Sequence, residues 1–130
     1  MELRQELRTG FAHIDAQHKA LLEAVDCFRD TLKNGESSRP YEAFLGFLTI
    51  YGMVHFQIEE SCMQAHRCAA ANQNCLEHKA FRKMIEAECA RFYRQGFDPE
   101  LARALLGRID RWLSRHMGQV DVQLRKEHPI

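Results

Sequence analysis

The sequence predicts an all-α fold, an antiparallel up-down four-helix bundle, and three observations predict it. Prolines stand only at Pro40, Pro99 and Pro129, which leaves long stretches free of helix breakers. Apolar residues return at three- and four-residue steps in four separate segments. Glycine and polar residues gather between those segments, and nothing alternates with the two-residue period of a strand ladder.

The first helix is expected from about Ile14 to Asn34, with Ile14, His18, Leu21, Leu22, Val25, Phe28 and Leu32 on its apolar stripe and Asn34-Gly35 as its stop. A polar loop, residues 36–39, separates it from the second, where Pro40 suits the first turn. The stripe there is Phe44, Leu48, Tyr51, His55, Glu59 and Cys62, ending near His66. After a small and polar stretch, Asn74, His78, Phe81, Ile85, Cys89 and Phe92 mark a third helix that runs to Gly96. The fourth opens on Asp98-Pro99-Glu100, a cap, a first-turn proline and an early acid, and continues through Leu105, Ile109, Trp112, Leu113, His116 and Val120. Four amphipathic helices with short connections pack most simply as an up-down bundle, and residues 1–130 are read as one domain of a size that buries its own core.

Composition narrows the function. Eighteen basic side chains balance eighteen acidic ones, so no field draws a polyanion, and neither nucleic acid nor a membrane is expected as a partner. The arginines of the fourth helix, at 103, 108, 111, 115 and 125, read as its solvated face. No long apolar run and no secretory leader is visible, which predicts a cytoplasmic protein with reduced thiols. Five cysteines form no standard zinc spacing, although Cys62, His66, Cys68 and Cys75 cluster near the second turn.

Seven histidines are the unusual count, and their distribution matters more than their number. His18, His55, His78 and His116 each lie on the apolar stripe of a different helix, where an imidazole is costly unless its nitrogens are satisfied. One alone would read as core packing; four aimed at one interior read as ligands. Glu59 stands one turn after His55, and Asp121 follows His116 by five, a spacing that needs a loosened turn, for which Gly118 is placed. Imidazoles and carboxylates without thiolates suit iron or manganese, and two bridging-capable carboxylates suggest two metals. His13, His66 and His128 are read as ordinary.

These residues carry a likeness. Gly10, Ile14-Asp15, Gln17-His18-Lys19 and Leu21, then His55-Phe56 with Glu59-Glu60 and Met63, then Trp112-Leu113, His116 and Asp121 resemble the signatures of the hemerythrins, and among them the single-domain bacteriohemerythrins. The resemblance implies two iron ions with an oxo or hydroxo bridge, His18 and His55 on one, three histidines on the other, and Glu59 and Asp121 bridging. It implies dioxygen or another small gas as ligand, bound at the iron with two histidines. A dry pocket of Leu22, Phe56, Trp112, Leu113 and Met117 would lie over the irons. The resemblance assigns no catalytic residue, and a monomer or weak homo-oligomer is expected.

The family's third segment is HxxxH, and here the first position is Asn74, with only His78 standing. Two lesser departures are Leu3, near a place often held by tryptophan, and Met117, where a leucine or β-branched residue is usual. Asn74 can offer a carbonyl oxygen, a weaker donor than imidazole, or leave room for water; Cys75 and His66 are the other candidates for that place. The expected function is a non-heme di-iron protein that binds dioxygen reversibly, for transport, storage or sensing. The alternatives are a di-iron redox enzyme acting on peroxide, dioxygen or nitric oxide, and a metal-poor regulatory module.

Overall fold

In the computed structural model, residues 5–35 and 38–127 are described. Leu3 and His128, both named above, lie outside them, as does the loop pair Glu36-Ser37. Four α-helices are present, α1 (Ala12–Lys33), α2 (Ser38–Ala65), α3 (Ala71–Gln95) and α4 (Pro99–Gln119), flanked by short 3-10 turns at Gln5–Leu7 and Asp121–Glu127, with no strand among the described residues. Each bound lies within a few residues of the sequence expectation. Pro40 sits in the first turn of α2, where its missing N–H costs nothing. Asp98 caps α4, accepting from the backbone N–H of Glu100 at 2.9 Å and of Leu101 at 3.4 Å. Gly96 stops α3 at φ +81, a left-handed conformation that glycine adopts without strain, and its N–H closes on Phe92 O at 2.8 Å.

The direction of each helix follows from the order of its buried residues. The larger part of the core holds Leu21 to Leu32 of α1, Tyr41 to Phe56 of α2, Phe81 and Ile85 of α3, and Ala102 to Leu113 of α4. A smaller apolar cluster, Ile14, Met63, Cys68, Val120 and Leu124, closes the other end. Along α1 the chain leaves the small cluster, passes His18 and enters the large core; α2 passes from the large core through His55 and Glu59 to Met63. α3 repeats the first direction and α4 the second. Each helix packs on its neighbour in sequence and α4 closes on α1, so the four form an antiparallel bundle. Between the two apolar clusters every helix crosses a polar belt at the same level.

The chain entering α1 is tied down by one carboxylate. Asp15, buried, accepts from the N–H of Thr9 at 2.8 Å, its hydroxyl at 2.9 Å and the N–H of Gly10 at 3.3 Å. This sets Ile14 and His18, one turn apart, on the bundle's inner face. No described helix is long and apolar enough to cross a membrane.

Candidate metal centre

Each helix puts one imidazole into the polar belt: His18, His55, His78 and His116 are all buried, none of them more than 3 % exposed. α2 adds Glu59 one turn after His55, and α3 adds Asn74 one turn before His78, both with no exposed surface. Asp121 arrives differently. A continuous helix would rotate it about 140° from His116, but α4 ends at Gln119 and the chain tightens into the 3-10 turn that Asp121 opens. The pitch change comes after Gln119 rather than at Gly118, which keeps an ordinary helical backbone, and it brings Asp121 Oδ1 to 2.9 Å from His116 Nε2.

Both carboxylates divide their oxygens between two sets of imidazoles. Glu59 Oε2 lies 2.9 Å from His18 Nε2 and 3.3 Å from His55 Nε2, while Oε1 lies 3.0 Å from His78 Nε2 and 3.6 Å from His116 Nε2. Asp121 Oδ2 is 3.2 Å from His18 Nε2, and its Oδ1 faces His116. The result is two adjoining donor groups, His18 with His55 and Glu59, and Glu59 with His78, His116 and Asp121, each able to hold a metal ion. Donors bound at roughly 2.1 Å and at right angles to one another stand about 3 Å apart, which is the spacing found. The fit to a pair of cations is good. His18 Nδ1 is also buried without a hydrogen-bond partner among the described residues, and Asp121 Oδ2, buried too, has only the 3.2 Å ion-pair contact with His18.

Asn74 ends inside the second group. Its outer amide atom is 2.9 Å from Glu59 Oε1, 3.0 Å from His78 Nε2, 3.1 Å from His116 Nε2 and 3.3 Å from Asp121 Oδ1. Turned one way the amide donates N–H into this set; turned the other way its carbonyl oxygen faces two carboxylate oxygens and two ring nitrogens, an arrangement that a cation among them would favour. The two other candidates for this place are elsewhere. His66 lies beyond the end of α2, exposed, with its ring edge-on to Phe11 at 5.0 Å. Cys75 turns its Sγ to Glu60 Oε1 at 3.4 Å.

Without metal, the buried anions take their positive charge from protons. Burial opposes the charged form of His18, but Asp121 and Glu59 outweigh it and push the pKa up to about 10. His116 is pushed up to about 10 in the same way, burial again being overcome by Asp121 and Glu59. His55, dominated by burial, is lowered instead. Burial also acts against charge on Glu59, yet hydrogen bonds from His116, His18, His55 and His78 hold its carboxyl well below the usual range.

A second layer surrounds the donors in a staggered pattern. Gln17, beside His18 in sequence, faces His55 Nδ1 from α1 at 2.5 Å. Glu60, beside Glu59, accepts from His78 Nδ1 at 2.8 Å, and Glu77, beside His78, accepts from His116 Nδ1 at 2.7 Å. Consecutive residues point about 100° apart on a helix, so when one faces the centre its neighbour reaches the next helix. Phe56 stacks on the His78 ring at 3.8 Å and Trp112 on the His116 ring at 4.3 Å. Beside His18, His55, His116 and Asp121 lies a narrow cleft bordered by Leu21, Tyr51, Phe56, Trp112, Leu113 and Met117. Leu22, expected there, instead packs in the core; one residue of helical rotation gives its place to Leu21.

Residues 9–124 match the model of the hemerythrin HHE cation binding domain. The chain belongs to that family. Bacteriohemerythrins of Pseudomonas paraeruginosa and Pseudomonas aeruginosa are similar to it, each 27 % identical over 118 residues that span 91 % of this chain and 74 % of theirs. No solved structure matches the chain significantly. In this hemerythrin-family chain, the six residues predicted as ligands and Asn74 converge on one belt. Sequence reasoning gave no role to Gln17 and Glu60, named only within the signatures, to Tyr51, named only on its stripe, or to Glu77. Their signal was adjacency to a ligand, or for Tyr51 a position one turn before His55, and neither shows which helix is faced.

Proposed function

We propose that this hemerythrin-family chain holds two iron ions in the adjoining donor groups and takes up dioxygen reversibly. The observation that carries the reading is the division of Glu59 and Asp121, each with one oxygen toward each set of imidazoles. His18 and His55 would serve one iron, and His78, His116 and the Asn74 carbonyl the other, with both carboxylates bridging. A pair of iron ions bound there supplies reversible two-electron exchange with dioxygen.

The chain's own residues prepare that chemistry. The half with fewer protein donors, that of His18 and His55, has the more room for a diatomic guest; the narrow cleft reaches His18 and His55, and also His116 and Asp121. Its apolar walls keep bulk water from the buried carboxylates, which slows loss of the bound guest by protonation. Met117, flexible about three bonds, is the wall element best able to yield to a passing gas. The Tyr51 hydroxyl donates to Gln17 O at 2.8 Å, so it is held as wall rather than as a proton source; burial, aided by Glu59 and Asp121, raises its pKa further.

One observation favours a second reading. An amide carbonyl at position 74 is a weaker donor than imidazole, which leaves the second iron more open to exchange and suits reduction of peroxide, dioxygen or nitric oxide by an external electron donor. Anaerobic loading with Fe(II), followed by cycles of oxygenation and purging, separates the two. Full recovery of the reduced spectrum with two irons per chain supports oxygen binding. Steady consumption of peroxide with a reductant supports the enzyme, and a chain that retains no iron removes both.

A further inference from the structure

The outer layer of the belt is electrically lopsided. His78 and His116, the imidazoles on the side of Asn74, each place Nδ1 against a carboxylate, Glu60 at 2.8 Å and Glu77 at 2.7 Å. On the other side, His55 meets the neutral amide of Gln17, and His18 Nδ1 has no hydrogen-bond partner among the described residues. Both carboxylates are held in turn. Glu60 takes Cys75 Sγ at 3.4 Å and lies 3.9 Å from Arg82 Nη1; Glu77 accepts from Gln73 Nε2 at 2.6 Å and lies 3.6 Å from Arg115 Nη2. The rings they orient are locked from the side by Phe56 and Trp112.

We infer that Glu60 and Glu77 are positioning residues that put negative charge behind both imidazoles of the Asn74 half, offsetting the ligand strength lost where the family pattern has histidine. This rests on the di-iron reading above. A carboxylate accepting from Nδ1–H fixes the tautomer that leaves Nε2 free for metal, and its charge makes that nitrogen a stronger donor. A neutral amide such as Gln17 fixes the tautomer without the charge. With Glu59 and Asp121, the two outer carboxylates bring four negative charges around the belt, matching two divalent cations. The two halves therefore differ in kind. One has two ordinary imidazoles, the other two charge-backed imidazoles and an amide oxygen, and the second should hold its metal in spite of Asn74 and favour the more oxidised state.

The test replaces charge while keeping the hydrogen-bond acceptor, in Glu60→Gln and Glu77→Gln. Fe(II) affinity is measured by chelator competition and the midpoint potential by mediated redox titration, with circular dichroism as the check on folding. Each variant should hold one of its two irons ten- to a hundredfold more weakly and show a higher midpoint than the natural protein. The fold-loss should shrink when Asn74→His is added. Glu60 is the more exposed of the pair, so Glu60→Gln carries the test alone if Glu77→Gln compromises the bundle. Natural affinity and midpoint in a folded variant, with or without lower thermal stability, would mean that the carboxylates are buttresses only and would overturn the inference. Fewer than two irons in the natural protein would overturn the di-iron reading as well, which distinguishes the two failures.

Discussion

At position 74 the difference between a ligand and a spectator comes down to one functional group. The amide of Asn74 occupies a point about 3 Å from four donor atoms, the place where a ligand to the same metal would stand. Asn74→His should therefore strengthen retention of the second iron at least about tenfold, since a direct ligand matters no less than an outer partner. Chelator competition measures it, and an unchanged constant would mean that residue 74 does not touch metal. His18 and His116, pushed up to about 10, are charged at neutral pH in the metal-free protein and must lose their protons to bind iron. Iron affinity should rise steadily from pH 7 to 9, by up to about a hundredfold per unit if both protons leave. The metal-free fold should behave in the opposite sense. Its two raised imidazoles contribute stability fully below pH 6.5 and lose it as pH climbs through about 10, whereas the lowered Glu59 loses its contribution only in acid. Affinity that is flat with pH would contradict this assignment of charge. The residues of the belt were legible, because a polar residue on an apolar stripe is conspicuous. The outer layer was not, because Gln17, Glu60 and Glu77 sit on helix flanks where glutamate and glutamine are commonplace, and their partners lie on other helices.

Among the elements, boundaries followed local chemistry and were readable for that reason. Asp98, Pro99 and Gly96 each act on backbone within a few residues of themselves, so their effect needs no knowledge of the rest of the fold. Asp98→Ala should cost about 1 kcal/mol of stability through loss of the α4 cap, with no change in iron content, because the cap lies at the end of α4 remote from His116. Thermal denaturation checks the first part and metal analysis the second. The junction after Gln119 was harder to read. The spacing from His116 to Asp121 required a break in the helix, but its position depends on the packing of Val120 and Leu124 into the small apolar cluster, a tertiary fact. Asp15 was noticed only as part of a signature, and its work as the anchor of Thr9 and Gly10 needed the folded chain to be seen.

Over the whole molecule, the bundle is an apolar body interrupted at one level by a belt of charge. The antiparallel arrangement was legible because four apolar stripes joined by short connections pack most simply up and down, and in the structure those alternating directions bring the polar residues to one level. What the stripes did not reveal is which oxygen of a carboxylate faces which imidazole, since that depends on the final rotation of every helix. That pairing is the centre of the di-iron proposal, in which Glu59 and Asp121 would join two unlike metal positions. Iron-57 Mössbauer spectroscopy of the oxidised, iron-loaded protein tests it most directly. Two irons per chain, magnetically coupled to a diamagnetic ground state and giving two distinct quadrupole doublets, is the result predicted. A single uncoupled ferric signal, from isolated or solitary iron, would contradict it.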